Sequence, residues 1–159
     1  MADDNENQNQ EVHTHARYSL DTDYKSGIYN FNDNPEYMRS LLTFLSSFAV
    51  ELLSLMEAKG LKSQELYKRA NVNRDVYCKI IKDSSYTVGR DTAISFAIAL
   101  GLNLEETQRL LSRAGYVLMD NNERDSVILS CMYRGETQVV NVNLTLAKYK
   151  QKPLGRIRE

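Results

Sequence analysis

The chain has 159 residues, 42% of them hydrophobic and 26% charged, with a formal net charge of −1. That composition allows one compact core plus a tail, not a core running through the whole length. Its two cysteines, Cys78 and Cys131, are too few and too far apart for a disulfide framework or a structural zinc site.

The N-terminus is acidic and polar, without the basic and apolar segments of a signal peptide. The most apolar stretch, residues 41–56, is short of a membrane span and carries Thr43, Ser46, Ser47, Glu51 and Ser54. A cytoplasmic protein with no membrane association is expected. The near-zero charge hides a split. Residues 1–34 hold seven acidic side chains against Arg17 and Lys25, net −5, whereas residues 59–90 hold eight basic against three acidic, net +5. A locally basic segment of this kind suits a polyanionic partner.

In chain order, residues 1–34 are rich in Asn, Asp, Gln and Glu, with too little apolar surface to offset the entropy of ordering; a disordered tail is predicted. Tyr18, Tyr24, Tyr29 and Phe31 are the exceptions within it, able to dock on the folded part or on a partner. From residue 35 to 59 the spacing predicts a long helix. Leu41, Leu45, Phe48, Leu52 and Leu55 form one stripe, and Leu42, Ala49, Leu53 and Met56 a second beside it. So wide an apolar arc is either core or, over 41–56, the seat of a homodimer or protein partner.

Gly60 stops that helix. Two short helices follow, 64–70 with Ser63 as N-cap and 74–82 with Asn73 as N-cap. A polar loop covers 83–89, and a helix opening at Gly89 or Arg90 runs to Leu100. Asn103 with Glu106 makes a capping box for a helix over 104–114. Another helix is predicted over 123–133, with Val127, Ile128 and Cys131 inward. A last helix is predicted to begin near Asn141 or Asn143 and end at Tyr149. A strand at 139–142 is the alternative, but a lone strand cannot satisfy its own backbone. Pro153 and Gly155 then break regular structure, leaving a basic tail over 152–159. The whole reads as an all-α bundle: a tail at 1–34, a helical domain at 35–151 with a helix-turn-helix at 61–82, and the C-terminal tail.

The informative run is 61–80, LKSQELYKRANVNRDVYCKI. It resembles the lambda-repressor-like (XRE) helix-turn-helix family, a bundle of about five helices whose third helix enters the DNA major groove. Leu61, Leu66, Val72, Tyr77 and Ile80 match that family's core positions, and the similarity covers roughly 47–114. The segments 65–70, 79–80, 97–100 and 110–116, with Pro153-Leu154-Gly155, also resemble a bacterial helical module found alone or C-terminal to macro-domain proteins.

The resemblance implies a DNA-binding transcriptional regulator without catalytic activity or cofactor. Asn73, Arg74, Asp75, Cys78 and Lys79 would face the duplex, with Arg74 the best suited to a guanine edge. Lys62, Ser63 and Gln64 would hold a phosphate where the preceding helix opens. Lys68, Lys82 and Arg90 would add salt-sensitive attraction. The sequence departs from the family pattern at Tyr67, where small residues are usual, and at Asn71, where glycine is common. Asp75 and Ile81, an acid and an apolar group on the reading helix, fit a protein-binding surface at least as well. A protein–protein interaction module on the same fold therefore stands beside the DNA reading.

Other signals are weaker. His13 and His15 stand close enough for a metal but lack carboxylate or thiolate support. Cys78 beside Lys79 is a candidate reactive thiol. Asp120, Asn121, Asn122 and Glu123 lack the spacing and glycine of a calcium loop and read as a helix entry. No P-loop, dinucleotide fingerprint or Ser/His/Asp arrangement occurs.

Overall fold

A computed structural model describes residues 47–155. The acidic tail, the stretch 35–46 of the predicted long helix, the His13/His15 pair, and Arg156 and Arg158 of the C-terminal tail lie outside the described residues.

The described residues form seven helices and no strand: α1 (Ser47–Lys59), α2 (Ser63–Arg69), α3 (Arg74–Lys82), α4 (Arg90–Ala99), α5 (Leu104–Arg113), α6 (Glu123–Tyr133) and α7 (Val139–Lys148). The all-α fold read from periodicity is what the chain adopts. In α4, every residue from Ala93 to Ala99 is buried, the mark of a helix enclosed on all sides. Around it pack α5, α2 and α7, while α1 lies on α5 and α6 on α7.

Helix α1 buries Phe48, Ala49, Leu52, Leu53, Leu55 and Met56. Both of its apolar stripes, over the described part, are spent on the core. The suggested partner surface at 41–56 is therefore not available from 47 to 56. Salt bridges from Lys59 to Glu106 (3.3 Å) and from Arg109 to Glu51 (2.8 Å) run along the α1–α5 seam.

The helix boundaries follow local chemistry. Asn73 Oδ1 accepts from the Asp75 N–H at 2.8 Å and opens α3. Asn122 opens α6 in the same way, through the Asp125 N–H. Asn103 and Glu106 complete the capping box of α5, each side chain accepting from the other's backbone N–H. Between α2 and α3, Asn71 sits at φ 52°, a left-handed turn that asparagine tolerates better than most side chains.

Two elements differ from expectation. Helix α7 starts at Val139, ahead of the predicted start, so the β-branched run at 139–142 is helical. Val139, Val142 and Leu146 are its buried positions. Secondly, the start of the predicted C-terminal tail is folded down. Leu154 is buried, and Asn143 holds it twice, accepting from its N–H (2.7 Å) and donating to its carbonyl (3.2 Å). Arg124 donates to the carbonyls of Lys152 and Pro153 while pairing with both oxygens of Asp91 at 3.1 Å. This strap ties the chain's last described turn to the opening of α4.

Candidate nucleic-acid interface

The site is built on α2, α3 and the turn between them. Burial of Leu66, Tyr77, Ile80 and Ile81 fixes the rotation of both helices, and Leu61, Tyr67, Val72 and Val76 pack half-buried against the same core. With those positions turned inward, Arg74, Asp75, Lys79 and Lys82 are exposed and Cys78 is half-buried beside them. Arg74, Cys78 and Lys82 stand four residues apart, so they share one face of α3. The flank of α2 adds Lys62, Gln64 and Lys68, all exposed. Glu65 is countered by an ion pair with Arg69 one turn on. A shallow cleft of about 370 Å³ opens at the turn, lined by Tyr67, Lys68, Asn71, Val72, Asn73 and Arg74.

Four sequence-based expectations change. Ser63 is not the N-cap of α2. It is the first helical residue, Lys62 holds the cap position, and no side chain caps it. The Ser63 side chain is turned inward and only 4% exposed. Its hydroxyl bonds the Tyr77 hydroxyl at 2.9 Å, because a buried phenol needs a polar partner. Ser63 is therefore spent within the fold and is not available to a phosphate.

Arg90 is likewise committed. Its guanidinium pairs with Asp125 at 2.6 Å and donates to the Val117 carbonyl at 2.8 Å. Ile81 is buried at 3% exposure, so the apolar group invoked for a protein-binding face belongs to the core. Asn73 remains exposed, but its Oδ1 is occupied in capping, which leaves its amide N–H groups for a ligand.

Tyr67 does not stand alone at the helix crossing. Its ring lies 5.8 Å from that of Tyr77, which in turn meets Phe96 edge-on at 6.3 Å. The tyrosine in place of a small residue is thus one end of an aromatic row reaching α4. Sequence reasoning missed this row and the Ser63–Tyr77 bond; the one signal for the bond was a polar-tipped aromatic at a core position.

Elsewhere, Asp83 is held below the usual carboxylate range by hydrogen bonds from the Ser85 hydroxyl and N–H. Among the described residues, no three His, Cys, Asp or Glu side chains gather as a metal site, and no helix is long and apolar enough to cross a membrane. Comparison with protein-family models, with curated proteins and with solved structures finds no match.

Proposed function

We propose that the chain is a DNA-binding regulator that inserts α3 into the major groove and grips the flanking phosphates from α2. The observation that carries the reading is the outward row of α3, with Arg74, Lys79 and Lys82 exposed while every large apolar side chain of that helix is turned to the core. A helix fits the major groove, and arginine and amide groups match base edges there. On this reading Arg74 reads a base, and Asn73 contributes its amide N–H groups. Lys62, Gln64, Lys68, Lys79 and Lys82 lie against phosphate or groove edge, and Asp75 discriminates by repelling ill-placed phosphates. The chemistry is recognition, with no bond made or broken.

The test is fluorescence anisotropy with duplex DNA of random sequence, followed by selection of a preferred site. If Lys62, Lys68, Lys79 and Lys82 all meet phosphates, log affinity falls against log salt with a slope of roughly −3.6. Arg74→Ala is expected to flatten the preference among sites by about 1–3 kcal/mol, while Lys82→Ala weakens all sites alike and reduces the slope by about 1. An absence of binding at low salt would refute the reading. Equal effects of the two substitutions would remove Arg74 from base recognition.

A protein-interaction role is the second reading, and it is favoured by where apolar side chains remain exposed. These are Leu104, Val117, Met119, Tyr133, Val140, Leu144 and Tyr149, all on or beside α5, α6 and α7. A protein partner would therefore engage side chains on or beside α5, α6 and α7 and not the helix-turn-helix.

A further inference from the structure

The face made by α2 and α3 carries more positive charge than its own acids answer. Six basic and two acidic side chains lie between residues 61 and 82. Arg69 is matched by Glu65, but Lys62, Lys68 and Lys79 are exposed and make no ion pair among the described residues. Like charges held on one surface repel, and a complementary anion relieves that repulsion. The cleft within this face is not purely polar. Half-buried Tyr67 and Val72 line it together with Lys68 and Arg74. An occupant suited to it brings negative charge and an aromatic or aliphatic side chain together.

The chain itself holds such a segment. Residues 18–24, YSLDTDY, carry Asp21 and Asp23 among Tyr18, Leu20 and Tyr24, without a basic residue. The other acids of residues 1–34 fit less well. Asp3, Asp4, Glu6 and Glu11 lie in a stretch without Tyr or Phe, and Asp33 is a single charge. Reach is sufficient. Were 35–59 one straight helix, as its spacing predicts, it would be about 38 Å long. The thirteen residues from 22 to 34 span about 45 Å when extended, enough to return Asp21 along that whole length.

We propose that residues 18–24 dock on the α2–α3 face as a built-in competitor of DNA. The two carboxylates meet Lys68 and its neighbouring cations, and a tyrosine ring enters the cleft against Tyr67. Tethering gives the segment an effective concentration in the millimolar range, so contacts too weak to hold a free peptide suffice. Duplex DNA, with its denser charge, displaces the segment, and rising salt weakens both interactions. As a competitor, the segment rests on the DNA reading of the same face; as a contact, it does not.

The contact is therefore read first without DNA. A water-soluble carbodiimide joins a carboxylate to an amine with no spacer. In the dilute full chain it is expected to link Asp21 or Asp23 to Lys62, Lys68 or Lys79 within one molecule. Affinity for random duplex DNA is then measured by anisotropy in low salt. Asp21→Asn with Asp23→Asn is expected to raise it about fivefold. Tyr18→Ala with Tyr24→Ala changes no charge and is expected to raise it about threefold. Both gains should shrink as salt rises, because the competing contact weakens.

Docking is overturned if no such link forms while DNA still binds, or if the links join only separate chains. It is equally overturned if the tyrosine pair leaves affinity unchanged, since plain repulsion of DNA by the tail would respond to the aspartates alone. If the link forms and neither the wild type nor any variant binds DNA, the DNA reading falls and the competitor role falls with it.

Discussion

Replacing Arg90 with methionine separates a structural cation from the solvent-facing ones that a duplex would meet. Asp125 is 2% exposed and accepts from Arg90 at 2.6 Å and from the Met119 N–H at 3.0 Å. Without the guanidinium, the carboxylate keeps one backbone donor and no counter-charge. Breaking a buried pair from one side costs about 3–5 kcal/mol. The Arg90 side chain is 33% accessible, so water can reach the vacated place, and a loss of about 2–4 kcal/mol is expected. In urea, with a slope of about 1.5 kcal/mol per molar, the unfolding midpoint should fall by roughly 1–3 M at an unchanged slope. Arg90→Met with Asp125→Leu should recover most of that loss, since the orphaned charge is gone. DNA affinity of the folded fraction should stay at the wild-type value. A midpoint shift below about 0.5 M, coupled with weakened DNA binding, would refute the reasoning and return Arg90 to the interface.

Three further outcomes are open to measurement. Ser63→Ala and Tyr77→Phe each break the buried Ser63–Tyr77 bond and should cost about 1–3 kcal/mol, the former less because the Tyr77 hydroxyl keeps the Met56 sulfur as acceptor, whereas the double variant should cost less than their sum; strict additivity in the cycle would deny the coupling. Glu106 is held below its usual value near 4.5, first by the Asn103 backbone N–H and then by Lys59. A depressed folded value means that its contribution is complete above the usual value and is lost as pH falls through the folded one. Glu106→Gln should therefore flatten the decline of stability below about pH 4.5, and parallel wild-type and variant curves would disprove that. Leu154→Ala should cost about 2–5 kcal/mol and raise the hydrogen-exchange rate of the strap. A neutral result would mean that the strap adds little to the core.

What could be read from the chain and what could not divides by the range of the interaction. Helices α3 and α6 have the predicted bounds, because Asn73 and Asn122 announce their starts within three residues of the bonds they make. The capping box of α5 was equally visible for the same local reason. Ser63 misled because a serine before a helix has the right chemistry for a cap, while its actual partner, Tyr77, lies 14 residues on. Arg90 misled in the same way, since its partner Asp125 is 35 positions distant. The start of α7 was obscured by valines that suit a strand, and Gln138 at its cap position makes no side-chain cap bond. Tertiary burial of Val139 and Val142 decided the matter. As for the interface, residue types identified the outward row of α3, but not which of its neighbours were already spent inside.

The strap has a consequence for the order of folding. Asp91 opens the central helix, Arg124 belongs to the sixth, and the backbone they grip lies at 152–155, so the network joins residues 28 to 64 positions apart. It can close only after the fourth and sixth helices have met. A chain cut before residue 153 would hold Arg124 and Asp91 without the carbonyls and amide that complete their network, and Leu154's berth would be empty. Such a fragment is expected to open more readily to proteases than the intact bundle.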